Sequence, residues 1–340
     1  MNWQSKKILI TGGAGFIGSN LAKKLFLTGA EVTILDNFSR ANVRKNIKWL
    51  EAGGGKLNVI EADIRDKAKI DEAVKGMEYI FHEAAQVAVT DSVNDPLTDF
   101  DVNAGGTLNI LDGMRQYSPE AVFLFASTNK VYGGLERFAV KEKDNKYFFS
   151  DTSLINGVTE EVNLDFHSPY GCSKGSADQY VRDFSRIYGL KTLVFRQSCI
   201  YGPRQWGTED QGWVFHFLRL AYGKELIKIY GDGKQVRDLL YIDDLLRAYE
   251  MAIDCIDKTS GHIYNIGGGI QNSVSLLEAI EIMKGKLGIA IPYEMYPWRP
   301  GDQRVFVSDT TKAQTDFGWS PQVSVPDGIE RLLEWVKEIN

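Results

Sequence analysis

Tyr170 and Lys174 stand four residues apart in the stretch SPYGCSKGSADQYV, 168–181, where an apolar stripe follows at helical spacing. On a helix the two side chains share one face. A phenol titrates near pH ~10 and is a poor base at neutrality. An ammonium held within a few ångströms lowers a phenol's pKa by roughly 1–3, and an adjacent oxidised nicotinamide pushes the same way. Such a pair can take the proton of a hydroxyl while hydride leaves the carbon beneath it. The spacing alone is common on helix surfaces. Its meaning depends on what the rest of the chain brings to it.

Two stretches supply that setting. FASTNKVYG, 125–133, ends an apolar run, and its Thr128 can hydrogen-bond a substrate hydroxyl and help pass the proton. ILITGGAGFIGSN, 8–20, follows a strand and opens a helix. Gly13, Gly15 and Gly18 fit G-x-G-x-x-G, and Gly12, Gly15 and Gly18 place a glycine at every third residue. Bare backbone there can approach a pyrophosphate, whose charge the helix N-terminus stabilises. Phe16, Ile17 and Ser127 are counted with this cofactor site. Asp36 closes the second strand, where a carboxylate takes the adenosine ribose hydroxyls. A 2′-phosphate would be repelled at that point, so NAD is expected over NADP, although Arg40 lies nearby and softens the repulsion. Asn37 and Ser39 share the turn. Asp63 and Ile64 are expected beside the adenine, with a turn or cap as the other reading of Asp63.

The elements that must position these residues form a regular alternation. KILIT (7–11), VTILD (32–36), LNVIEAD (57–63), YIFHEAA (79–85) and VFLFAS (122–127) read as strands, and helical patterns separate most of them. That rhythm predicts an α/β fold, a Rossmann-type doubly wound parallel sheet with helices on both faces. Ligands then bind beyond the carboxyl edge of the sheet. Residues 134–167 read as a polar, irregular insertion, 170–188 as a helix and 192–196 as another strand. Helices are expected near 243–256 and 275–287. The division expected is a NAD-binding domain at 1–190, with returns near 192–200 and 236–257. A smaller mixed α/β substrate domain is expected over most of 201–340.

Of 340 residues, 44% are hydrophobic and 25% charged, the balance of an ordinary globular chain. A net charge of -6 argues against nucleic acid or an anionic membrane surface as partner. Cys172, Cys199 and Cys255 are sparse and lack metal spacing, which suits reduced thiols. The opening residues are short and polar before the first strand, without signal-peptide character, and no apolar run reaches membrane-span length. The expectation is cytoplasmic, with no metal.

Over nearly its whole length the chain resembles the extended short-chain dehydrogenase/reductase family. The glycines at 12, 15 and 18, HEAAQ (82–86), Asn103, Thr128, Tyr170 with Lys174, and RPGD (299–302) sit where that family's motifs sit. The resemblance implies Thr128, Tyr170 and Lys174 as catalytic triad, with Lys174 also on the nicotinamide ribose. It implies Ala84, Ala85 and Gln86 along the cofactor, and Asn103 stabilising helix geometry behind the site. Dehydratases of the family carry an acid pair after the threonine. Here Asn129 and Lys130 follow, so water elimination lacks its acid and base. Epimerisation of a nucleotide sugar is implied instead, with NAD staying bound and being regenerated.

STNKVYG, DFHSPYGCSKGSADQY, FRQSCIYGPRQWGTEDQGWV, GDGKQVRD and DQRVFVSD are similar to the motifs of epimerases acting at carbon 2 of a CDP-activated dideoxyhexose. The alternatives are a 4-epimerase of UDP-glucose or UDP-glucuronate, and a non-catalytic NAD-sensing protein. Arg204, Arg237 and Arg299 are the candidates for the substrate pyrophosphate, which the planar guanidinium suits. Gln211, Asn129 and Lys130 are candidates nearer the sugar. Trp213 either stacks on a ligand or packs. His82, on a strand, reads as structural, and His167 has no partner in the sequence. The helices around 97–117 and 170–188 resemble the pair that forms a four-helix contact in this family, implying a homo-oligomer, dimer or tetramer.

Overall fold

The computed structural model describes residues 1–54, 57–299 and 302–340. Its first half repeats one unit. β1 (Lys7–Thr11) passes through the glycine turn into α1 (Phe16–Leu27), β2 (Glu31–Asp36) leads to α2 (Val43–Glu51), and β3 (Leu57–Glu61) to α3 (Lys67–Val74). β4 (Tyr79–His82) leads to α4 (Val89–Asn94), α5 (Pro96–Phe100), a π-turn at Asp101–Gly105 and α6 (Gly106–Tyr117). β5 (Val122–Thr128), the hairpin β6 (Val140–Lys143) and β7 (Lys146–Phe149), α7 (Ser168–Tyr188) and β8 (Lys191–Gln197) follow. Then come β9 (Cys199–Tyr201), α8 (Trp213–Tyr222), β10 (Ile227–Tyr230), β11 (Val236–Tyr241), α9 (Ile242–Asp254), α10 (Ile256–Thr259) and β12 (His262–Ile266). The last elements are β13 (Ser273–Ser275), α11 (Leu276–Leu287), β14 (Tyr293–Tyr296), β15 (Val305–Phe306), α12 (Thr311–Phe317) and α13 (Val325–Ile339).

Among the described residues the main sheet has seven strands in the order β12-β8-β5-β4-β1-β2-β3. Every pairing in it is parallel. The expected doubly wound α/β architecture is therefore present. Strand alternation sorts the core into two layers. Ile8 and Ile10 pack with α1, α2 and α9, whereas Leu9 packs with α3, α6 and α7. Because both faces are covered, β1 reads as an unbroken apolar run. The winding reverses between β1 and β4, and the crevice at that switch point opens beyond Thr11 and His82.

Several expectations are refined. The third strand stops at Glu61, and Asp63 sits in the turn beyond it, accepting a bond from its neighbour Arg65 N (2.9 Å). Residues 134–167 are not wholly irregular. VKEK and KYFF pair as an antiparallel hairpin across Asp144 and Asn145, both at positive φ (52° and 59°). That two-residue geometry matches the twist of the flanking strands. β11 lies outside the main sheet and pairs β9, β13 and β15. β12, which the sequence reading passed over, completes the main sheet's edge against β8.

α7 carries the Tyr-x-x-x-Lys pair and is fixed at both ends. It starts with Pro169 at its first turn and stops at Gly189 in the left-handed region (φ 70°). Its middle is fixed by a buried ion pair. Arg196 on β8 donates to both oxygens of Asp178 on α7 (2.9 and 3.0 Å), at 3% and 0% side-chain exposure. Ser127 at the end of β5 also donates to Asp178 (2.8 Å), and Arg196 donates to the Tyr132 hydroxyl (3.0 Å). The pair thus sets α7 against the ends of β5 and β8. Replacing one partner strands a buried charge, at a cost of about 3–5 kcal/mol. Arg196→Met is expected to lose about that much in urea unfolding. Combining it with Asp178→Leu is expected to recover much of the loss.

Candidate active site

The glycine turn is shaped by what its residues lack. Gly12 has φ +66°, and a Cβ there would fall 2.6 Å from Ala84 N. A Cβ on Gly18 would fall 2.5 Å from Gly12 O, so α1 can start this close only with glycine. At Gly15 a Cβ would meet Gly12 O at 3.1 Å and nothing else within contact, which leaves that side of the turn open. Phe16, Ile17 and these glycines line a cleft of about 450 Å³ beyond the switch point. Asp36 holds the cleft's far wall. One carboxylate oxygen accepts from Ala14 N (3.0 Å), the other from Phe38 N (2.8 Å). Burial pushes its carboxyl up, against those two bonds.

Asn37 donates to Asp63 (2.9 Å) and accepts from Ser39 N (3.1 Å). Asp63 is gripped by the Arg65 guanidinium through two 2.9 Å bonds, which hold its carboxyl well below the usual range. Arg65 was missed in the sequence, although DIR follows the third strand directly. Ile64 is buried against Gly106 and faces the same cleft.

Ala84, Ala85 and Gln86 form the cleft wall after β4. Asn103, inside the π-turn, holds this wall in place. Its Oδ1 accepts from Gln86 N (2.9 Å), and its Nδ2 donates to Gln86 O (3.1 Å) and to Ser173 Oγ on α7 (3.0 Å). The Gln86 side-chain oxygen is buried without a partner. An open glycine turn, a carboxylate at the end of β2 and an unpaired buried amide oxygen together fit a dinucleotide such as NAD. Ser127 does not reach this cleft with its side chain, because its hydroxyl is committed to Asp178.

Thr128, Tyr170 and Lys174 do come together. The Tyr170 phenol is buried, with the Thr128 hydroxyl near enough to lower its pKa. Lys174, 3% exposed, donates to Ala126 O (2.6 Å) and lies 4.1 Å over the Phe125 ring. The expected activation is not present in this arrangement. Burial pushes Tyr170 up to about 12, the Thr128 hydroxyl pulling against it and Asp99 adding to it. Burial pushes Lys174 down to about 8, against the nearby Glu83, Asp178 and Asp99. Desolvation outweighs pairing for both groups, and the ammonium is aimed at a main-chain carbonyl.

A second cavity, of about 550 Å³, is lined by Lys130 and Ser168, which lie two residues from Thr128 and Tyr170 in the chain. Lys130 lines it, contacts Gln303 at 3.4 Å and is pushed down to about 8 by burial and by Arg237. Arg237 donates to Asp302 (2.5 Å). Arg299 stacks 4.0 Å from the Tyr230 ring and pairs with Glu209 and Asp210 at 3.4 Å. Pro300 and Gly301 of RPGD lie outside the described residues. Asn129 is buried and accepts from Thr128 (3.3 Å). Trp213, His167 and the Cys199 thiol also face this cavity. Gln211 lines both cavities and accepts from Arg40 (2.6 Å). His82 is structural as expected, buried between Thr11 Oγ1 (2.6 Å) and Thr107 Oγ1 (2.9 Å).

Arg204 corrects the sequence reading. It is not brought to the cavity. Its guanidinium stacks on Trp49 (4.6 Å) and Trp335 (5.7 Å), where it joins α2 to α13. Trp206 strengthens that junction by donating to Asn46 (2.8 Å).

A parallel doubly wound sheet, a glycine turn and a Thr–Tyr–Lys set at the end of β5 define an extended short-chain dehydrogenase/reductase. The chain belongs to the GDP-mannose 4,6 dehydratase family, whose model matches residues 9–332. A CDP-paratose 2-epimerase of Salmonella typhi is 43% identical over 98% of this chain and 100% of the relative. The UDP-glucose 4-epimerase of Thermotoga maritima, solved with UDP-glucose, is similar with TM-score 0.84 and 32% identity, over 98% of this chain and 99% of that one. The UDP-glucuronic acid 4-epimerase of Bacillus cereus, in complex with UDP-glucuronic acid and NAD, gives TM-score 0.84 at 27% identity, over 98% and 100%.

The Lys174 pKa has a consequence for stability. Its ordinary value is 10.5 and its folded value about 8, so between these the unfolded chain binds more protons and stability rises with pH. Below the folded value the buried ammonium is a constant burden. Lys174→Met is therefore expected to raise the melting temperature at neutral pH, and the gain should shrink as pH climbs from about 8 toward 10.

Proposed function

We propose that this protein is an NAD-dependent epimerase that inverts carbon 2 of a CDP-activated dideoxyhexose, as in the interconversion of CDP-paratose and CDP-tyvelose. One observation carries the reaction type: Thr128, beside Tyr170 at the end of β5, is followed by an amide and an ammonium rather than by two carboxyls. That arrangement serves oxidation and reduction at one carbon and leaves water elimination without its acid. The full-length similarity to the Salmonella typhi enzyme supports the choice of carbon and nucleotide.

The glycine turn, Asp36, Asn37, Ser39, Arg40, Asp63, Ile64 and the 84–86 wall would hold NAD, with Lys174 at its nicotinamide ribose. When bound, NAD supplies a hydride acceptor and a positive charge beside Tyr170. Thr128 orients the substrate hydroxyl. Tyr170 would take that hydroxyl's proton and give it back to the same oxygen when the keto sugar, having turned, is reduced by hydride on its opposite face. Lys174 favours the phenolate once it is drawn from Ala126 O. Asn129 and Lys130 face the sugar, while Arg237 and Arg299 offer cations to the pyrophosphate, each after exchanging a carboxylate partner. Until that exchange the carboxylates hold both guanidinium groups at the cavity wall. Similarity to UDP-sugar 4-epimerases makes that activity the second reading.

Exposed apolar side chains concentrate on α4, α5 and α7, among them Val93, Leu97, Phe100, Ile187 and Tyr188, with Leu97 at 77% exposure. A homo-oligomer formed through this face would cover them. No helix among the described residues is long and apolar enough to cross a membrane, and a cytoplasmic setting goes with this reading.

CDP-paratose, UDP-glucose and UDP-glucuronate should be offered separately. Conversion of CDP-paratose is expected, with deuterium at carbon 2 passing transiently to bound NAD; turnover of a UDP-sugar alone would reject the assignment. Tyr170→Phe is expected to keep bound NAD yet lose at least about a thousandfold in kcat. Light scattering should show Leu97→Arg with Ile187→Arg as a smaller species than the parent protein.

A further inference from the structure

Glu83 follows β4 at the carboxyl edge of the sheet, next to the Ala84 that abuts Gly12, and lines the cofactor cleft. Its Oε1 accepts from the Tyr249 hydroxyl on α9 (2.7 Å). Tyr249 in turn accepts from Gln197 (2.7 Å), the residue that pairs with Thr128 across β5 and β8. A chain of hydrogen bonds therefore runs from Glu83 to Gln197 at the end of β8, the strand neighbour of Thr128. Lys174 stands within electrostatic reach of the same carboxyl, each shifting the other's ionisation. His82, one residue earlier, turns to the opposite face and bonds two threonines.

As far as the protein alone is concerned, a carboxylate here is expensive. Burial pushes Glu83 up to about 7, and the Tyr249 bond and Lys174 reverse only part of that. A glutamine would accept the same bond from Tyr249 without any charge to desolvate. The carboxylate becomes favourable when a second cation enters the cleft. Resting on the NAD reading above, we propose that Glu83 is a charge-positioning residue: its carboxylate faces the Lys174 ammonium and the oxidised nicotinamide, and holds the resident cofactor in its oxidised form. The oxidised ring carries a positive charge that the reduced ring lacks, so a fixed anion nearby favours NAD over NADH. An epimerase that lost its keto sugar would be left with the reduced cofactor, unable to begin a new cycle. A site that prefers the oxidised form opposes that outcome.

Protein equilibrated with defined mixtures of NAD and NADH, freed of unbound cofactor and then denatured, reports the bound ratio. Wild type is expected to be enriched in NAD over the mixture. In Glu83→Gln the enrichment should fall by about fivefold or more while total occupancy is retained. A purely structural Glu83 would weaken both forms alike and leave the ratio unchanged, which would overturn the proposal. The groups facing Glu83 are Tyr249 from α9 and Lys174 from α7, with neutral Gln197 behind Tyr249; of these, neither titrating group ionises below Lys174's value of about 8. The wild-type enrichment should accordingly rise between about pH 6 and about pH 7.5 as the carboxyl ionises, and be flat in Glu83→Gln. This pH arm needs no variant, and a flat wild-type profile would also overturn the proposal. If wild type retains neither cofactor, the NAD reading itself fails.

Discussion

Desolvation of the Tyr170–Lys174 pair is the constraint on which the rest of the site depends. Both groups lie in a dry floor, and for both the loss of water outweighs the nearest favourable contact. The phenol is left more reluctant to ionise than in water, and the ammonium less stable. A pair in that condition responds strongly to any charge brought beside it, because little solvent remains to screen the interaction. Reactivity is thus not built into the two side chains. It is stored as an unmet electrostatic demand that a ligand satisfies.

Holding such a pair demands rigid support, and the fold supplies it from three directions. The Arg196–Asp178 pair fixes the middle of α7 against β5 and β8. Asn103, in the π-turn, fixes the start of the same helix to the wall of the cofactor cleft through Ser173 and Gln86. The stacked Arg204, Trp49 and Trp335 join the C-terminal helix to the first α/β layer. The first two of these contacts act on α7 itself, and the third holds the surrounding layers together.

Much of the fold and of the site could be read from local patterns. Glycines at 12, 15 and 18, the acid ending β2, and a tyrosine four residues before a lysine all act through neighbours close in the chain. What escaped depends on distant partners. Arg204 was taken for a phosphate ligand because it sits in a loop of promising residues; its two tryptophans come from opposite ends of the chain. Glu83 was passed over because its motif was read for the alanines beside it, and Tyr249 gives no local sign. Lys174 was expected to serve the tyrosine directly, yet its partner is a main-chain carbonyl, which leaves no trace in side-chain identity. β12 follows the turn dipeptide Ser260–Gly261, with Gly261 at φ 75°, a local signal the strand reading did not use, and its pairing with β8 places it at the sheet's edge.

The Arg40–Gln211 bond joins a loop of the cofactor cleft to one of the other cavity, and Gln211 borders both. The two chambers consequently share a stretch of wall. A molecule that drew Gln211 to itself in one chamber would compete for the bond from Arg40 and so alter the wall of the other.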